Sequence, residues 1–154
     1  MHEQQNMYNK TIVLDSCVFN KLFLDEYDSY QAIALINEVV RKNVRILAPS
    51  LFVYEVLSIA HVNTFSIKDA YELILDFQKT QLHLVEVDQN CIKKVIEICE
   101  AGHKKSGFPS FYDASYHALA IENECYFITA DKRHFDKTVQ LGHVSLLSDW
   151  ENIF

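Results

Sequence analysis

Five short apolar segments punctuate the chain: TIVLD (11–15), VRILA (44–48), LHLVEV (82–87), CYFIT (125–129) and HVSLL (143–147). Their length and their β-branched and aromatic content read as strands. Helical spacing fills the gaps between them. A brief helical stretch is expected over residues 21–26. From Tyr30 to Lys42, Ala32, Ile33, Leu35, Ile36, Val39 and Val40 recur along one helix face, with Asp28 or Ser29 as the cap. Pro49 and Ser50 start a helix to about His61, with Ser50 as N-cap. Ser66 and Asp69 form a capping box before a helix to about Thr80. Asp88 caps a helix that carries Ile92, Val95, Ile96 and Cys99 on one side. GHKKSGFPS (102–110) reads as a loop, and Ser110 with Asp113 caps a helix to about Glu124. Ser148 and Glu151 cap a last turn.

This alternation predicts an α/β fold with a mostly parallel central sheet covered on both faces. With 3 Gly and 2 Pro, the chain is a poor candidate for a turn-rich all-β fold. Its 154 residues suit a single domain over 1–154, with residues 1–10 as a polar N-terminal extension. No repeat or linker interrupts it.

Composition narrows the function. At 49% hydrophobic and 23% charged residues, a globular chain is expected rather than disorder. A net charge of −7 argues against holding nucleic acid by bulk attraction. It does not exclude chemistry on nucleic acid, because a cation bound by carboxylates reverses the local field. Cys17, Cys91, Cys99 and Cys125 form no CxxC pair and read as free thiols of a reducing compartment. The N-terminus has no apolar signal core, and no apolar run is long enough to span a bilayer. A soluble, cytoplasmic protein with no membrane partner is expected.

Four acids interrupt apolar surroundings. Asp15 closes the first strand, and Asp131 follows the fourth by two residues. Glu55 lies within LFVYEVLSIA and Asp113 within FYDASYHALA, each near a helix start after a Pro-Ser pair. In open α/β sheets sites gather beyond the carboxyl ends of the strands, so these acids should share one crevice. Clustered carboxylates do not all stay ionised without a cation, and Mg²⁺ and Mn²⁺ prefer such hard oxygen ligands. That set suits phosphodiester hydrolysis. Each acid alone has an ordinary reading as a helix cap, strand end or solvated face residue.

Four blocks carry a resemblance: VLDSCVFNKLFLDE, APSLFVYEVLSIA, PSFYDASYHALA and YFITADKRHF, in this order from about Thr11 to Leu147. Together they resemble PIN-domain ribonucleases, in particular the VapC-like toxins of toxin–antitoxin pairs. The resemblance implies a three-layer α/β/α sandwich and Mg²⁺- or Mn²⁺-dependent cleavage of RNA. Asp15, Glu55, Asp113 and Asp131 would be the catalytic and metal-binding quartet, with Ser16 and Thr129 as supporting polar residues. It also implies an antitoxin partner, whose Arg would suit an acidic cleft, and a homodimer. Phe135 lies one residue further from Asp131 than is usual in such toxins, and Leu22 stands where Trp is common.

Lys21, Lys132 and Arg133 are candidate phosphate contacts, and His117 lies four residues after Asp113. Tyr112, Tyr116 and Tyr126 are candidates for base stacking, although core packing is the plainer role for them and for Trp150. Two rivals stand beside the ribonuclease. Haloacid-dehalogenase-like phosphatases need a second Asp two residues after the first, where this chain has Cys17. The other rival is a PIN-like module that binds RNA or protein without cutting.

Overall fold

The structure is a computed structural model that describes residues 8–102, 105 and 107–154. Strands β1 (Lys10–Leu14), β2 (Val44–Pro49), β3 (Leu82–Val85), β4 (Tyr126–Thr129) and β5 (Val144–Leu146) form one sheet. The order is β3-β2-β1-β4-β5, and every neighbouring pair is parallel. Central strands of a parallel sheet are covered on both faces. Accordingly Ile12, Val13 and Leu14 of β1 and Phe127 and Ile128 of β4 are fully buried.

Seven α-helices flank or extend the sheet among the described residues: α1 (Ser16–Phe19), α2 (Ser29–Arg41), α3 (Leu51–Val62), α4 (Ile67–Gln78), α5 (Gln89–Glu100), α6 (Phe111–Glu122) and α7 (Lys132–Thr138). Helix α6 packs on β1, β2 and β4 and also on α5. Its small residues Ala114 and Ala118 let Cys91, Val95 and Ile98 of α5 approach. Helix α2 and the C-terminal 3₁₀ turn (Leu147–Ile153) pack on each other and on the sheet. Burying each large aliphatic side chain in this core contributes about 1.5–3 kcal/mol.

Three expected caps form. Ser66, Asp88 and Ser110 accept from the backbone N–H of Asp69, Cys91 and Asp113 at 3.1, 2.9 and 3.1 Å. Each is worth about 1 kcal/mol. Ser50 stands at the expected N-cap position of α3, but its side chain makes no capping bond. Its φ/ψ of −55°/−26° is already helical, and its hydroxyl donates to Glu86 instead. Neither Asp28 nor Ser29 caps α2 through its side chain. Asp28 pairs with Lys21, and Ser29 serves the preceding turn. Nor do Ser148 and Glu151 cap the final turn.

The helical stretch expected over 21–26 lies earlier, as α1 and a 3₁₀ turn over Asn20–Leu22. It stops because Ser29 Oγ takes the Glu26 N–H and donates to the Leu24 carbonyl, the groups a continuing helix would use. Residues 1–7 of the polar extension, and 103, 104 and 106 of the loop, lie outside the described residues. Lys10 already belongs to β1. The four cysteines are free, with Cys91 and Cys125 buried and Cys17 and Cys99 half-buried. Among the described residues no helix is long and apolar enough to cross a membrane.

Candidate active site

The chain runs outward from β1 to β2 and β3, then returns to place β4 on the other side of β1. Such a reversal opens a crevice at the carboxyl ends of the strands. Asp15 follows β1 directly, and its N–H donates to the Ile128 carbonyl of β4 at 3.0 Å. Asp131 follows β4 and caps α7, taking the N–H groups of Arg133 and His134 at 2.9 and 3.3 Å. Glu55 comes from the second turn of α3, and Asp113 from the first turn of α6. All four carboxylates line one cleft of about 520 Å³.

Hydroxyl groups tie these acids together. Thr129 Oγ1 donates to Asp15 Oδ2 at 2.7 Å and accepts the Asp131 N–H at 3.0 Å. Ser16 Oγ lies 3.4 Å from Asp15 Oδ1 and 3.3 Å from Glu55 Oε1. The buried Tyr116 hydroxyl donates to the same Glu55 oxygen at 2.6 Å. Asp15 is nearly inaccessible, whereas Glu55, Asp113 and Asp131 are half-buried.

Burial and crowding shift the protonation of this cluster. Desolvation, followed by the charge of Asp113, pushes the Asp15 carboxyl up to about 7, against the pull of the Thr129 hydroxyl. Burial and the charge of Asp131 raise Asp113 as well. The site is therefore short of positive charge. Among the described residues lining the cleft, none is Lys, Arg or His. Lys137 tempers Asp113 from further off, with its ammonium on the Phe108 carbonyl at 3.2 Å. Cys17 also lines the cleft, but burial and Asp15 push its thiol well above its ordinary value, so no thiolate nucleophile is available.

The donor set fits a hard divalent cation, because every candidate ligand is a carboxylate beside hydroxyl groups. Among the described residues no three His, Cys, Asp or Glu side chains already converge as a ready-made cage. The carboxylates share a cleft and repel one another across it.

The other candidates fall elsewhere. Lys21 is buried, with its ammonium 2.7 Å from Asp28 and 3.4 Å from Glu26. Burial pulls its pKa down, but these partners outweigh that and raise it. A phosphate contact is thereby disfavoured. Lys132 is exposed and pairs with Asp136, and Arg133 is exposed on α7. His117 is fully buried, with Nε2 against the Gly142 carbonyl at 2.7 Å. It is packing, not a ligand. Tyr126 is half-exposed on β4 but does not line the cleft, whereas Tyr112 does. Trp150 packs edge-on against Phe154. Sequence reading missed Asn20, Tyr54 and Ser58 as cleft residues. For Tyr54 the available signal was its place directly before Glu55.

A family profile for the PIN domain matches residues 12–140. The chain belongs to the PIN domain family. No curated protein matches this PIN domain by sequence. Solved structures share its fold at low identity. A toxin–antitoxin complex from Klebsiella pneumoniae matches with a TM-score of 0.62 and 15% identity, covering 88% of this chain and 97% of that one. VapC20 of Mycobacterium tuberculosis, a toxin that cleaves the sarcin–ricin loop, matches at 0.63 and 13%, covering 81% and 93%. VapBC-1 from nontypeable Haemophilus influenzae matches at 0.66 and 12%, covering 90% and 98%. The all-parallel sheet with flanking helices is thus a PIN-like α/β/α arrangement.

Proposed function

We propose that this PIN domain is a Mg²⁺- or Mn²⁺-dependent endoribonuclease and the toxin of a toxin–antitoxin pair. One observation carries the reading. Four carboxylates from four separate elements line a single cleft at the sheet's switch point, where burial and mutual repulsion raise the pKa of Asp15 and Asp113. Stability alone gives no reason to gather like charges there.

In this reading Asp15, Asp113 and Asp131 hold the cation, with Ser16 and Thr129 fixing the carboxylates. The cation supplies Lewis acidity, which makes water a better nucleophile and offsets charge on the scissile phosphate. Glu55 takes both of its hydrogen bonds on Oε1, which leaves Oε2 to orient the attacking water. In-line attack on phosphorus then needs positioning more than covalent help from the protein. Family membership and the sarcin–ricin-loop-cleaving toxin that shares the fold support RNA as the substrate.

A protein partner also fits. Ile59, Val62, Ile67, Tyr71 and Leu75 are exposed apolar side chains on α3 and α4, which pack together. An antitoxin that covers this surface and sends an Arg toward the acids would block the cleft. Self-association through an apolar face would give a homodimer.

The test is cleavage of labelled RNA with Mg²⁺, with Mn²⁺ and with excess chelator, beside Asp15→Asn. Cutting that requires metal and disappears in a folded Asp15→Asn protein is expected. Cutting that persists in chelator and in the variant would reject the quartet. A wild type that binds RNA but never cuts it would identify a binding module.

A further inference from the structure

RNA has a difficulty at this cleft that the proposed chemistry does not resolve. The chain carries a net charge of −7, and four of the cleft's own residues are acids. Nucleic-acid affinity ordinarily comes from Lys and Arg neutralising phosphates. Here no Lys, Arg or His lines the cleft among the described residues. Lys21, in the neighbouring recess, is spent on Asp28 and Glu26. A cation at the carboxylates would hold one phosphate, but the described residues that line the cleft offer the flanking nucleotides no positive charge.

Two side chains at the cleft offer a contact that is indifferent to phosphate repulsion. Tyr54 and Tyr112 both line it, and the two residues are 78% and 63% exposed. Each is the immediate chain neighbour of a candidate catalytic acid: Tyr54 precedes Glu55 on α3, and Tyr112 precedes Asp113 on α6. Consecutive helix positions diverge by about 100°. Each helix thus turns its carboxylate toward the cluster and leaves the ring beside it at the rim. Neither hydroxyl is drawn into the hydrogen bonds among the acids. Tyr116, whose hydroxyl is drawn in, is buried on Glu55. Exposing two such rings costs free energy unless something covers them. A nucleotide with its phosphate at the acids carries its base past these rings.

We propose that Tyr54 and Tyr112 are base-stacking residues that hold the nucleotides flanking the scissile bond and restrict the cleft to unpaired RNA. The proposal rests on the ribonuclease reading. Stacking on an aromatic face is sequence-tolerant, because every base has a π-face. A paired base in a duplex already stacks on its neighbours and cannot offer that face.

The experiment uses Asp15→Asn protein in Mg²⁺ buffer, which should bind without cutting. The probes are a fluorescein-labelled single-stranded RNA of mixed sequence and the same strand annealed to its complement. Tyr54→Ala and Tyr112→Ala are each expected to weaken single-strand binding by roughly 5- to 150-fold, the range for loss of one base–aromatic stack. Tyr54→Phe and Tyr112→Phe keep the ring and should stay within about twofold of the parent, with Tyr30→Ala, exposed on α2, as the surface control. Duplex binding should be weak throughout. Alanine variants that bind like the parent would overturn the proposal and assign the rings to a protein contact. Phenylalanine variants as weak as alanine would overturn it by implicating the hydroxyls. Ring-dependent binding by a wild type that cuts no RNA would leave the stacking role standing and reject the nuclease.

Discussion

The Thr129 hydroxyl donates to Asp15 Oδ2 at 2.7 Å while accepting the Asp131 N–H at 3.0 Å, so one buried oxygen sets the spacing of two acids just beyond the ends of adjacent strands. Thr129→Val keeps the shape and removes both bonds. It should cost about 1–3 kcal/mol of stability, because buried polar groups are left unpaired. It should also lower RNA cleavage at least tenfold, by analogy with other losses of positioning at a reacting centre. Thr129→Ser should retain most of both. Thermal melts and cleavage rates decide the matter, and a valine variant equal to wild type would show that the bridge sets nothing.

The Tyr116–Glu55 contact makes a separate prediction. Tyr116 is fully buried and stacks on Phe127, so Tyr116→Phe should fold normally. Glu55 would lose a hydrogen bond to a charged group, worth about 1.5–3 kcal/mol. If Glu55 orients the attacking water, kcat should fall roughly tenfold or more with KM little changed. A rise in KM alone would place Glu55 in substrate binding.

Much of this was legible in the sequence. The five strands stand where their apolar runs placed them, most clearly the central β2, β1 and β4, which are covered on both faces and tolerate little else. The acids were legible because a carboxylate inside an apolar run is costly without a reason. Helix α7 was not. Its seven residues KRHFDKT have no apolar stripe, and it forms because Asp131 caps it and His134 is buried beneath it. The Pro-Ser pair correctly marked the start of α3, but sequence does not reveal that Glu86 takes the Ser50 hydroxyl away from the cap. Lys21 looked like a phosphate contact because sequence does not reveal that Asp28 folds back onto it.

Asp15 predicts a pH dependence of stability without metal. Its carboxyl moves from an ordinary 3.8 to about 7 on folding, so the folded protein holds a proton that the unfolded chain has released. Stability from this group is therefore present at low pH and falls as pH rises from about 4 to about 7. Asp15→Asn removes the penalty. In chelator at pH 8 it should melt about 2–4 °C or more above wild type, corresponding to about 1 kcal/mol or more. Near pH 4 the gap should close. An equal gap at both pH values would contradict the shift.

The buried histidine pair predicts the opposite slope. The Gly142 carbonyl only accepts, so His117 Nε2 carries the hydrogen and its Nδ1 accepts from His134 Nε2 at 3.3 Å. His134 Nδ1 is left buried without a partner. Burial, then the neighbouring His117, lowers His134 to about 4, and burial also lowers His117. The unfolded chain thus takes up protons first, and stability present above pH 6.5 is lost as pH falls toward 4. NMR titration should show both imidazoles below the ordinary value, His134 at about 4. Two residues titrating near 6.5 would refute a dry, neutral pair.

The most direct measurement is RNA cleavage under saturating Mg²⁺ by wild type and by the four variants Asp15→Asn, Glu55→Gln, Asp113→Asn and Asp131→Asn, each checked for folding by its melting curve. If the quartet acts as one centre, every single variant should lose most of the metal-dependent activity, and a double variant should lose little more than either single one. Full activity in any two folded variants, or cleavage by wild type that is indifferent to chelator, would contradict a shared metal centre built from these four acids.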